Sequence, residues 1–164
     1  MKKYHCLKSS KTTKIGLRTT GFIHYKVLAD QDQQLYLHIT GNDDYGYYSK
    51  EVIPFEAIEQ VIKGLKPNSA LSSGVFKSAF VGQSNNNAAF LAAILRNEKL
   101  LSSMADAVRK HSVQPGWDSW KATMLKAVDT AKPYEPEPVI GIVLDDEPID
   151  VEEVLEKKQR PKKS

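Results

Sequence analysis

The stretch "GFIHYKVLADQDQQLYLHIT", residues 21–40, constrains the fold more than any other part of this 164-residue chain. Residues 20–28 alternate between a row of Thr20, Phe22, His24, Lys26 and Leu28 and a row of Gly21, Ile23, Tyr25 and Val27. Residues 35–40 continue with Leu35, Leu37 and Ile39 set against Tyr36, His38 and Thr40. A period of two marks a strand whose faces meet different surroundings. The polar link "ADQDQQ" is short, so an antiparallel hairpin is the natural connection. One face of that hairpin is plainly apolar; the other carries rings and cations, and its purpose is the question the sequence poses.

The flanking segments supply the rest of an α+β domain. Turn-forming "GNDDYG" leads into an expected third strand at residues 45–53, completing a meander. Pro54 then opens a helix on which Phe55, Ile58, Val61, Ile62 and Leu65 recur at helical spacing, with Gly64 and Pro67 marking its end. "VFKSAFV" is expected as a fourth strand, closed by Gly82. Beyond it lie an Ala- and Leu-rich helix at residues 88–101, a shorter helix at 104–110, and an amphipathic helix at 117–131 that carries Trp117, Trp120, Met124, Leu125 and Val128. The expectation is a three- or four-stranded antiparallel meander packed with three to four helices. It forms a single domain over residues 1–132. Residues 133–164, with five prolines, read as a flexible tail, acidic and then basic and largely disordered.

Charge is distributed in blocks. Residues 1–29 hold seven Lys or Arg and no acid, whereas residues 133–156 hold nine acids and no base. A basic body followed by an acidic segment points to a surface for polyanions with a tethered competitor beside it, or to a tail that keeps the chain soluble. The basic start is followed by no apolar run, so neither a secretory signal nor a membrane span is expected. The lone Cys6 forms no internal disulfide, and the expected location is cytoplasmic.

Catalytic signatures are missing from the sequence. There is no glycine-rich phosphate loop and no nucleophile elbow, and the carboxylate pairs Asp43/Asp44 and Asp145/Asp146 fall in a turn and in the tail. His5, Cys6, His24, His38 and His111 lack the spacing of a metal site, so neither metal nor cofactor is expected. His24 and His38 are placed where they can meet across the hairpin.

Two roles compete for the second row of the hairpin: a floor beneath the helices, or a platform for bases. In the second role Phe22, His24, Tyr36, His38 and Tyr47 stack on bases, with Tyr45 a further candidate, while Lys11, Lys14, Arg18 and Lys26 neutralise the backbone. The amino-terminal lysines fit phosphate contacts, or equally the protection of a sheet edge. "GQSNNNAAF" either caps a helix or offers amide groups to an anion.

Residues 14–65, a basic strand, a hairpin and a third strand ending "YYSKEVIPFEAIEQVI", resemble the strand-meander-plus-helix unit of the transcriptional positive cofactor family. That resemblance implies single-stranded DNA binding by a homodimer, with Lys14, Arg18 and Lys26 in the place of the family's basic strand residues. The acidic turn at Asp43 and Asp44 and the added helices of residues 84–131 depart from the pattern. The expected function is therefore non-catalytic binding of nucleic acid, single-stranded DNA or RNA, with no membrane partner. The alternative is a protein-interaction module docking through residues 139–158 of the tail.

Overall fold

The computed structural model describes residues 2–15, 20–44, 46–65, 69–84 and 86–137. The hairpin forms as expected. Strands β1 (Tyr4–Thr13), β2 (Phe22–Asp30) and β3 (Leu35–Asn42) pair antiparallel in sequence order, and β4 (Val52–Pro54) adds beside β3. Asp30 shapes the β2–β3 turn: its Oδ1 accepts the N–H groups of Asp32 and Gln34, each at 2.9 Å.

Ile23, Tyr25, Val27 and Ala29 of β2, with Leu35, Leu37 and Ile39 of β3, point into the core. Helices cover that side. Pro54, whose fixed φ suits a helix start, directly precedes α1 (Phe55–Lys63), which buries Phe55 and Ile58. Helix α2 (Asn86–Asn97) is the centre of the core, with eight of its twelve residues buried. It ends in a reversed turn in which Leu100 N–H bonds the Leu95 carbonyl at 2.9 Å and Lys99 N–H bonds that of Arg96 at 3.0 Å. Lys99 takes φ +68°, a left-handed conformation usually left to glycine. Helix α3 (Trp117–Leu125) lays Trp120 on Phe55, ring centroids 4.8 Å apart, with Trp117 at 5.5 Å.

Several expected elements take another form. "VFKSAFV" is mostly a 3-10 helix, Ser73–Ala79. Strand alternation would send Ser78 inward with Phe76 and Phe80, whereas a three-residue period buries Phe76 and Ala79 together. Residues 104–110 are no helix either. β6 (Leu101–Met104) and β7 (Ala107–Val113) form a hairpin, and β5 (Leu71–Ser72) completes a three-stranded sheet in the order β5-β7-β6. The pairing brings His111 to complete burial between two partners: Arg96 Nε donates to its Nδ1 at 3.0 Å, and its Nε2 lies 2.9 Å from Ser73 Oγ. The third strand shrinks to Val52–Pro54, because residues 46–51 run as a loop held by side chains.

The last helix stops at Leu125, and after a 3-10 turn, Val128–Thr130, the chain returns to the main sheet as β8 (Lys132–Tyr134). β8 pairs with Tyr4–Cys6 of β1, giving the order β4-β3-β2-β1-β8. Residues 138–164, which hold most of the expected tail and its docking segment, lie outside the described residues, as do Arg18 and Tyr45. No helix among the described residues is long and apolar enough to cross a membrane.

Candidate nucleic-acid interface

Alternation assigns the other side of the main sheet to Tyr4, Cys6, Ser9 and Lys11 of β1, Phe22, His24, Lys26 and Leu28 of β2, and Tyr36 and His38 of β3. The expected row thus shares one face, and the helices lie on the opposite one. The row nevertheless divides into an open end and a covered end.

At the open end Lys11 sits over the Phe22 ring, 4.3 Å from its centroid, as a cation-π pair. His24, beside Lys11 in the register, has Nε2 2.7 Å from Asp43 Oδ1 and keeps 40% of its side chain exposed. Asp43 also accepts the Phe22 N–H at 3.0 Å. The hydrogen bond from His24, helped by that N–H, holds the Asp43 carboxyl below the usual carboxylate range. Lys14 holds Asp44 down in the same way at 2.9 Å. Gly21, at φ +74°, lets the chain pass this turn, where a Cβ would stand 2.9 Å from that of Asp43. The acidic turn that departs from the family pattern is therefore the partner of His24 and Lys14. His24 and His38 do not face one another: a bulge sets His24 beside Gly41, and His38 beside Lys26.

At the covered end Leu28 has no exposure, Tyr36 has 7% and His38 has 4%. The Tyr36 hydroxyl donates to Asp30 Oδ2 and accepts from Lys2 Nζ, both at 2.8 Å, and Tyr4 meets its ring edge-on at 5.2 Å. Burial pushes Asp30 up, but the N–H groups of Gln34 and Asp32, with Tyr36 and Lys2, outweigh it and hold the carboxyl below its ordinary range. His38 lies 5.8 Å from the Tyr134 ring, and burial pulls its pKa down, with Lys26 and Lys50 adding to the fall. Lys26 bridges the two ends, with Nζ 2.7 Å from Ser9 Oγ and 5.3 Å from the Tyr134 centroid.

Tyr134 and Lys132 were not singled out by sequence. "KPY" sits between a helix and a proline-rich run and carries no alternation, so only β8 pairing brings its ring onto this face. Tyr47 is 72% exposed on a pinned loop: its carbonyl accepts from Asn86 Nδ2 at 2.9 Å and from Ser84 Oγ. Asn87 Oδ1 accepts the Ser49 N–H at 2.8 Å, while Glu51 receives the N–H groups of Val81 and Gly82 at 2.8 and 2.9 Å. Ser84, Asn86 and Asn87 thus anchor this loop instead of presenting an anion cradle.

On the helix side Glu98 gathers a buried network. It takes hydrogen bonds from Tyr25, from Trp120 Nε1 at 3.0 Å and from Lys8 Nζ at 2.9 Å. Burial raises Glu98, but those three donors leave it below its usual value, while burial and the same carboxylate push Tyr25 up to about 12. Tyr25 therefore stays a donor. No family model, curated protein or solved structure matches this chain.

Proposed function

We propose that the protein binds single-stranded nucleic acid, without catalysis, on the side of the main sheet that the helices leave bare. The observation that carries this is the pairing of ring and ammonium at the open end. Lys11 over Phe22, His24 beside them and Lys26 at the Tyr134 ring put stacking surfaces and phosphate-neutralising charges within one small area. Such a platform suits unpaired strands, whose bases are free to stack. Tyr36 and His38 form its floor and Tyr47 offers an exposed ring, while Lys14, paired with Asp44, sets its ammonium over Phe90 of α2. Arg18 adds a further cation to this basic stretch of the sequence. The acidic tail competes for this surface. The charge of Glu137, at the start of that segment, acts on His38 and Tyr134 of this face. The meander-plus-helix resemblance of residues 14–65 points the same way and adds a homodimer; cytoplasm is the setting.

Fluorescence anisotropy with a labelled single-stranded oligonucleotide at two salt concentrations tests the proposal. Three or four neutralised phosphates give a log–log salt slope of roughly −2 to −3 for single strands. Absence of binding at low salt rules it out. A chain ending after Glu137 should bind more tightly than the full chain; if the tail instead captures a protein partner, the same truncation abolishes that capture and leaves oligonucleotide affinity unchanged.

A further inference from the structure

β1 is paired with β2 along its length, save for a bulge at Leu7, but on its other side β8 reaches only Tyr4–Cys6. Among the described residues nothing pairs with that side from Lys8 to Thr13. Outward-facing N–H and C=O groups along such an edge are a template for another extended chain. Where β8 leaves off, a groove of about 460 Å³ opens, lined in part by Leu7, Lys8, Ser9, Lys26, Lys132 and Tyr134. No acid lines it. Lys8 is matched by Glu98, so the positive potential comes from Lys26, from the exposed Lys132 and from exposed Lys11 further along the strand. Ala127, Ala131 and Pro133 give the groove small apolar walls.

We propose that the free edge of β1 and this groove form a docking site for an extended, acidic, β-branched segment of a partner protein. The segment adds to β1 as a strand in line with β8 and sets its carboxylates among Lys11, Lys26 and Lys132. Backbone pairing supplies affinity, and the lysines select the sign of charge. A second copy of this chain fits poorly, because each β1 edge carries the same positive charge, from Lys11 with Lys26 and Lys132 beside it. The site uses the strand edge and shares Lys11, Lys26 and Tyr134 with the stacking face.

The probe is a fluorescein-labelled alternating Thr–Glu peptide, titrated into the full-length protein alongside an alternating Thr–Lys control, with amide exchange followed by NMR. The Thr–Glu peptide is expected to bind and to slow exchange at Lys8–Thr13, the Thr–Lys peptide to leave it unchanged, and Lys132→Glu to weaken binding about tenfold. A Thr–Glu peptide N-methylated at alternate residues should lose binding; equal binding by it shows charge attraction alone and overturns the proposal. Protection confined to Phe22–His24 also overturns it. So does slow exchange at Lys8–Thr13 without peptide: concentration-independent protection assigns the edge to the chain's own tail, and protection lost on dilution assigns it to a second copy.

Discussion

The two faces of the main sheet are built from alternate residues of the same strands, yet one is covered by helices and the other is roofed at one end only. On the helix side Ile23, Tyr25, Val27, Leu37 and Ile39 meet α1, α2 and α3, and the one buried carboxylate, Glu98, has three donors. On the other side the residues over Leu28 are Tyr and His, held by hydrogen bonds and ring edges, and Phe22 and His24 keep part of their surface in water. The difference shows that alternation decides which residues share a face, whereas connectivity decides which face is covered. After β4 the chain sends its helices to one side, and among the described residues β8 brings Lys132 and Tyr134 back to the other.

The contrast is open to direct attack. Ile94→Ala, in the middle of α2, removes a fully buried side chain and should lower unfolding free energy by about 2–5 kcal/mol in a urea titration. The folded variant should keep its oligonucleotide affinity.

A pH titration probes the junction between α2 and the small sheet. Burial, with the charges of Arg96 and Lys110, lowers the pKa of His111 to about 4. An unfolded chain takes up this proton near pH 6.5, so stability contributed by neutral His111 is complete above that value. It declines as the pH falls toward about 4 and is level below. The loss is at most about 3 kcal/mol. Subtracting the denaturation profile of His111→Gln from that of the wild type should reveal that decline; parallel profiles would mean that the histidine is not buried neutral. His38, lowered by burial, adds a change of the same sign that both profiles share.

On the open face the signs reverse. Phe22→Ala should change unfolding free energy by less than about 1 kcal/mol, yet cost about 1–3 kcal/mol in oligonucleotide binding measured by anisotropy. If the stability loss is the larger, the ring belongs to the core and the two faces are not functionally distinct. The smallest effect is local: Lys99→Gly relieves the left-handed turn after α2 and should raise stability by about 0.5–1 kcal/mol, with binding unchanged.

Legibility in the sequence followed the range of the interactions. The hairpin, its register sense, the α1 start at Pro54 and the apolar stripe of α2 were readable, because periodicity and local backbone preferences specify them. The hairpin at residues 101–113 was not. "MADAVRK" has helix-forming composition, and what makes it a strand is pairing around the buried His111, whose partners Arg96 and Ser73 lie 15 and 38 residues away, beyond the reach of local periodicity. For the candidate site, the shared face of Phe22, His24, Lys26, Tyr36 and His38 was legible, but the burial of Tyr36 and His38 was not, since their cover comes from Lys2, Tyr4 and Tyr134.

What the sequence determined by itself is the pair of unlike rows and the antiparallel hairpin that separates them, because a side-chain period of two leaves no other arrangement that buries the apolar row alone. Only the tertiary structure decided which row lies under helices, how much of the other β8 and Tyr134 roof over, and where the edge of β1 stays open. Those outcomes depend on contacts between segments far apart in the chain, such as Tyr25 with Glu98 and Tyr4 with Tyr134, and no local periodicity encodes them.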